Sequence, residues 1–436
     1  MPTSPEIETN VVDSTEQAQS SRGTARRLPA GVADAAFASL ATFAAGLSAV
    51  NLFNAVDRGV YAIFFTAFGL GVVLSWDLIL IPAEVNAVSF PVADRMRRAR
   101  DTLRLGIPMA LLGSLAVFIA AFMSRSLTDP DVLWGLTITA GITTVLSPLQ
   151  DHIRRLLHIA ELNWQAAAVS GVQFGGVVVS LGVMWVLDAP VAVMPFGSLA
   201  IANALSLTTG LILGDVRHQQ PLDEPLRFRE LARQGRWLLT QALVPNISHF
   251  AVAAIVAALA GAEALGYAEA ARVVAQPVLV LATGLTAVLA PRAMEAAMRH
   301  DLQAARRTRR IYLLIMMGGG VLYLAAAASP WLLNPMKDLV PAAYTVGGLV
   351  AFTIVANLIS AAMYLDINEL LGAQKARQMA AVAIITSPIL VLVALTARAT
   401  DAFARPLGHA MRDTAQVAWY RAKLARHYAE HREGPS

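Results

Sequence analysis

Residues 59–84 read GVYAIFFTAFGLGVVLSWDLILIPAE, an apolar run broken by one charge, Asp77, before it ends on Glu84. A bilayer core of about 30 Å takes about 20 helical residues to cross, so this stretch is long enough to span with residues to spare. Runs of the same kind recur at 31–54, 104–124, 131–149, 164–187, 194–214, 236–260, 267–291, 311–333, 338–364, 379–397 and 401–424. The whole chain of 436 residues is 56% hydrophobic and only 15% charged, more apolar than one soluble core of this size explains. The sequence therefore predicts an all-α integral membrane protein of about twelve transmembrane helices.

The arginines and lysines set the expected orientation, because short cytoplasmic loops retain positive charge. One set of loops carries Arg95 to Arg104, Arg154 and Arg155, Arg217 to Arg236, Arg292 to Arg310, Lys375 and Arg377. The alternate loops keep only Arg58, Arg125, Lys337 and Arg398. This sorting places both termini in the cytoplasm. Residues 1–27 are polar and too poor in apolar surface to order themselves, so a disordered cytoplasmic tail is expected there. A cleaved signal peptide over Arg26 to Ala45 is the rival reading, disfavoured by the long polar extension before it.

The two halves overlay at a constant shift. Phe43 and Phe250 stand 207 residues apart, as do Gly59 and Gly266, and Ser39-Leu-Ala-Thr-Phe43 parallels Asn246-Ile-Ser-His-Phe250. The expected domains are an N-lobe at 28–214, a cytoplasmic linker at 215–235, a C-lobe at 236–424 and a cytoplasmic tail at 425–436. Six spans per repeat is an even number, so both lobes enter the membrane from one side and form two pseudo-symmetric six-helix bundles about an axis along the membrane normal. Such a plan suits alternating access by rocking one lobe against the other.

The absence of cysteine excludes disulfides, thiolate metal sites and cysteine nucleophiles. The net charge of +4 sits in short loops rather than in a basic patch, which argues against nucleic acid. No P-loop, dinucleotide glycine pattern or histidine cluster with metal spacing suggests an enzyme. The loops on the far side are a few residues long and leave no room for an external catalytic domain.

Ionisable groups at membrane depth cost roughly 2.5–3.5 kcal/mol each on insertion scales, so each is expected to face a cavity or a partner. In the first half these are Asp34 and Asp77, with Glu84 read as a solvated helix end. In the second half Gln241, Asn246 and His249 share span seven, as cavity groups or as interhelical hydrogen-bonding glue, and in span eight Glu269 and Arg272 either neutralise each other or leave Arg272 with Gln276 to meet a diphosphate. In span twelve Arg398, Asp401, Arg405, His409, Arg412, Gln416 and Lys423 fall near one line, with Leu407, Met411 and Val417 away from it. Two readings of that span stand: an amphipathic helix on the membrane surface, or a spanning helix whose cationic stripe lines a cleft. Pro406 is expected to disturb it. Residues 150–164 read either as a short interfacial helix, with Arg154 and Arg155 as headgroup contacts, or as a positively charged topogenic loop.

Ala33-Asp34 with Ser39-Leu-Ala-Thr-Phe43, Gly59-Val-Tyr61-Ala-Ile-Phe-Phe65 and Gln150-Asp-His-Ile-Arg-Arg-Leu-Leu-His158-Ile-Ala160 together resemble the polysaccharide flippase branch of the multidrug, oligosaccharidyl-lipid, polysaccharide (MOP) exporter superfamily, the O-antigen and teichoic-acid type. The resemblance runs over most of residues 28–424. It implies a V-shaped pair of lobes in a bacterial cytoplasmic membrane and translocation of an undecaprenyl-diphosphate-linked oligosaccharide, in the company of membrane lipids and of glycosyltransferases and a polymerase of the same route. No cofactor is expected beyond proton or sodium coupling through intramembrane carboxylates. The alternatives are a drug or cation antiporter of the same superfamily (MATE type) and a non-transporting scaffold for glycan-synthesis enzymes.

Overall fold

The computed structural model describes residues 8–88, 90–219, 226–328 and 334–430. Parts of the expected tails and linker, at 1–7, 220–225 and 431–436, lie outside the described residues, as does the end of the run at 311–333. The first half contains α1 (Glu8–Leu52), α2 (Ala55–Ser75), α3 (Ile81–Val88), α4 (Ala99–Gly113), α5 (Leu115–Ser124), α6 (Pro130–Ile159), α7 (Asn163–Val186) and α8 (Met194–Leu213). The second contains α9 (Phe228–Leu259), α10 (Ala262–Met298), α11 (Leu302–Ala328), α12 (Pro335–Leu339), α13 (Leu349–Ala362), α14 (Tyr364–Gly372), α15 (Ala376–Ala394), α16 (Ala397–Thr400) and α17 (Ala404–Glu430). Eleven spans among the described residues are long and apolar enough to cross a membrane, and α17 packs against α13 and α15 to complete the second bundle. The protein is a multi-pass membrane protein whose outer surface presents large apolar side chains such as Phe122, Trp134, Val179, Leu314 and Leu392.

The repeat is written into the helix ends. Helix α1 ends at Leu52 and α9 at Leu259, while α2 begins at Ala55 and α10 at Ala262, each pair 207 residues apart. Short 3₁₀ turns at Val191–Val193 and Asp401–Phe403 lead into α8 and α17, which begin 210 residues apart. Packing repeats too: α1 lies on α7 as α9 lies on α15, and α8 lies against α6 and α7 as α17 lies against α13 and α15. The turn into α2 is capped by Asn54, whose side chain accepts from the Asp57 amide at 2.8 Å. At the equivalent place α10 starts from Gly261 at φ +94°, a left-handed conformation that glycine adopts at little cost.

Helices α1 and α2 of the first lobe meet α9 and α10 of the second. At the end far from the arginine-rich loops, α2 and α10 cross backbone to backbone. A Cβ on Gly59 would stand 1.8 Å from the Ala262 carbonyl oxygen, and one on Gly266 would stand 2.3 Å from that of Ala55. The four residues form two small-xxx-small pairs, the pattern that lets membrane helices approach closely. Arg58 beside this crossing closes the end of α1, donating from Nε to Val50 O and from Nη2 to Phe53 O, both at 3.0 Å. A cationic donor at orphan C-terminal carbonyls is favourable there.

Several expectations change. Helix α1 reaches back to Glu8, so residues 8–27 continue the first span as helix rather than forming a disordered tail; their Glu, Gln, Ala and Arg are good helix formers. The segment 150–164 is not a separate interfacial helix. It is the end of α6, which runs to Ile159, and its Ile153, Leu156 and Leu157 are buried against Met96, Ala99 and Val169. The tenth span is α13 with α14, Leu349–Gly372, rather than 338–364, because Pro335, Pro341 and the glycines at 347–348 hold the preceding residues in short helices and turns. Pro406 does not disturb α17, since it is the third residue of that helix, in the first turn where a missing N–H costs nothing.

Candidate functional site

Helix α17 is amphipathic in the reverse sense to a soluble helix. Arg405, Arg412, Asp413 and Gln416 are buried, whereas Met411 is 50% exposed on the outside of the lobe. Its polar stripe therefore faces the interior, where Gln416 Nε2 donates to Thr386 Oγ1 of α15 at 2.8 Å. The surface-lying alternative for this segment is replaced by a packed helix between α13 and α15.

The buried stripe is held by two ion clusters. Glu269 on α10, 0% exposed, receives Arg272 Nε at 2.9 Å and Nη2 at 2.6 Å, and Arg405 Nη1 from α17 at 2.9 Å. Arg412 donates from Nε to Asp413 Oδ1 at 2.6 Å and from Nη1 to His249 Nε2 of α9 at 2.7 Å. The Ser360 hydroxyl of α13 donates to the other Asp413 oxygen. The rings of His249 and His409 lie 4.8 Å apart. Buried charges tolerate such depth only when paired, which is the arrangement seen. Three guanidinium groups against two carboxylates leave one net positive charge.

All of these groups except Glu269, which lies behind the wall, line a cavity of about 320 Å³ bounded by α2, α9, α10, α13, α14 and α17. Its wall includes Asn246, His249, Arg272, Gln276, Arg405, His409 and Arg412, seven residues that the sequence singled out. The opposite lobe supplies Phe65, Thr66 and Gly69, and the Arg272 guanidinium lies 4.5 Å from the centre of the Phe65 ring. Arg272 is ten residues into α10, about 15 Å at 1.5 Å per residue, which puts the cavity near mid-membrane. Pro245 within α9 lacks the amide that would close a helical bond, and next to it Asn246 Nδ2 donates to Ala242 O at 2.8 Å.

The remaining candidates lie elsewhere. Asp34 is buried within the first lobe, accepting from Ser170 at 2.5 Å, His158 at 2.9 Å and Arg154 at 3.1 Å. Arg154 also binds Asp151 at 2.9 Å, so it is engaged inside the lobe rather than free for headgroups. Arg155, 48% exposed at its side chain, bonds Glu84 at 3.2 Å and covers the Trp76 ring. Glu84 is not a solvated end: it is buried, with His152 Nδ1 at 2.9 Å. Asp77 sits in a π-helical turn, Trp76–Leu80, and neither it nor Gln241 lines this cavity. Glu269 pairs with Arg272, as their spacing of three allows, whereas Asp413, Asn357 and Ser360 are not expected from the sequence. Asn357 and Ser360, three apart in an otherwise apolar span, carried the signal.

Neither a protein-family model nor a curated protein sequence matches the chain. Solved structures do. A multidrug resistance MATE family transporter of the MOP superfamily, in its inward-facing conformation, superposes with a TM-score of 0.71 at 12% identity, over 90% of this chain and 96% of its own. A eukaryotic MATE transporter matches at 0.64 and 13%, over 94% and 98%. A MOP superfamily transporter from Pyrococcus furiosus, described as having a binding pocket of reverse polarity, matches at 0.54 and 13%, over 93% and 96%. At these identities the likeness is one of fold, and it extends over both lobes.

Proposed function

We propose that this protein is a membrane transporter that moves a lipid-linked oligosaccharide between leaflets by alternating access, with its diphosphate held at Arg272, Arg405 and Arg412. The observation that carries the reading is the chemistry of the mid-membrane cavity: three guanidinium groups, two of them bound to one buried carboxylate, leave a net positive wall. Guanidinium forks match phosphate oxygens in geometry as well as charge. A site built for organic cations needs the opposite balance, which weighs against the drug or cation antiporter reading. The fold, shared with transporters of the MOP superfamily, supports movement of a substrate over a passive scaffold role.

The chain is placed in a bacterial cytoplasmic membrane with both termini inside, alongside the glycosyltransferases and polymerase that make and consume its substrate. Coupling to protons or sodium is assigned to the Asp34, His158 and Arg154 cluster of the first lobe, where a buried carboxylate already binds two cationic partners. The test is reconstitution into liposomes with an undecaprenyl-diphosphate-linked oligosaccharide in one leaflet. The expected result is translocation by the wild-type protein and at least tenfold slower translocation by Arg412→Gln. Transport of ethidium with no movement of the lipid-linked sugar would replace this reading with the cation antiporter.

A further inference from the structure

The first lobe holds a second cavity, of about 250 Å³, enclosed by α1, α2, α6, α7 and α8 and closed on one side by Gln276 of α10. It is the first cavity's repeat partner. Ser39 and Thr42 line it, and the residues 207 positions on, Asn246 and His249, line the other. Leu199 and Asn203 line it as well, and 210 positions on stand His409 and Asp413 of the other wall. One pocket has been made twice, and its chemistry has diverged.

Where the second-lobe cavity is cationic, this one is neutral and rich in hydrogen-bonding groups. Its charged residues, Asp151 and Arg154, are bound to each other at 2.9 Å. Its other polar groups are hydroxyls and amides, of Ser39, Thr42, Thr143, Ser147, Gln173, Asn203 and Gln276, beside the apolar Ala38 and Leu199. Gln173 Nε2 donates to Asn203 Oδ1 at 2.7 Å, yet its own Oε1 is buried without a donor among the described residues, and so is Oε1 of Gln276. Buried acceptors left unpaired are costly and call for O–H or N–H donors from a ligand or water. Phe68 adds an aromatic face. Hydroxyl-donating, uncharged and offering a CH face to an aromatic ring is the description of a sugar.

Gln276 lines both cavities, and the rings of Phe65 and Phe68, one in each wall, stand 6.0 Å apart between them. We infer that the two cavities form one bipartite site, in which the second-lobe chamber holds the phosphates and the first-lobe chamber holds the sugar ring next to them, with Gln276 at the junction. The inference rests on the function proposed above and adds which lobe reads which part of the substrate.

The experiment measures binding of the purified full chain to farnesyl diphosphate and to the same lipid diphosphate bearing one hexose or one N-acetylhexosamine. At least one sugar-bearing probe is expected to bind about tenfold tighter than the bare one. Gln173→Leu and Ser147→Ala should erase that gain while leaving affinity for farnesyl diphosphate unchanged, which also reports that the variants fold. Arg412→Gln should weaken all probes alike. An undiminished sugar gain in Gln173→Leu, or no gain in the wild type, would overturn the sugar chamber while leaving the flippase reading in place. Failure of the wild type to bind any diphosphate would instead remove the flippase reading, and the chamber assignment with it.

Discussion

Glu269 is the residue on which the cationic cavity is built. It neutralises Arg272 on its own helix and Arg405 on α17 at once, so Glu269→Gln strands two guanidinium groups at bilayer depth. Breaking a buried pair by removing one partner costs about 3–5 kcal/mol, and a melting curve in detergent should show a loss of that order. A melting point within a degree of the wild type would mean water already solvates these arginines. Reading the sequence found Asn246, His249, Arg272, Gln276, Arg405, His409 and Arg412 because each is expensive in lipid, and the structure gathers all seven at one cavity. The same argument could not say what shelters a given charge. Asp34 looked like a cavity residue and is instead bonded to Ser170, His158 and Arg154, partners supplied by helices more than a hundred residues away. Asp413, the direct partner of Arg412, is its neighbour in sequence and so lies about 100° round the helix from it, off the stripe that the period picks out.

Helices show the same division between what period reveals and what packing decides. The spans of the first half are legible from run length, and the repeat shift of 207 recurs in the starts of α2 and α10 at Ala55 and Ala262, although run length alone places those starts at 59 and 267. The last span was ambiguous because a polar stripe opposite Met411 fits a helix on a membrane surface as well as one turned inward against α13 and α15; only neighbours distinguish them. The crossing of α2 over α10 yields a prediction at this scale. Gly59→Ala places a methyl 1.8 Å from the Ala262 carbonyl oxygen and must push the helices apart, at about 1–3 kcal/mol for overpacking. Gly141→Ala and Gly182→Ala, in helix interiors where nothing lies within 4 Å of the added carbon, should melt no lower than the wild type. Equal melting of all three variants would show that α2 and α10 do not touch.

For the molecule as a whole, the arginine-rich loops predict one inside face. The chain has no cysteine, so single cysteines introduced at Asp129 and Glu161 can be probed with a membrane-impermeant maleimide on a silent background. Asp129 should label in intact cells and Glu161 only after lysis; the reverse pattern would invert the topology. The join at Ala55, Gly59, Ala262 and Gly266 also bears on how the lobes move. Each half of that join is the image of the other, and its tightest contacts are main chain against main chain, which has little freedom to stretch as the lobes begin to separate. Such a fastening behaves as a latch rather than a spring. It is engaged or released, so the distance between lobes at this end, followed one molecule at a time, should step between two values instead of drifting through a continuum.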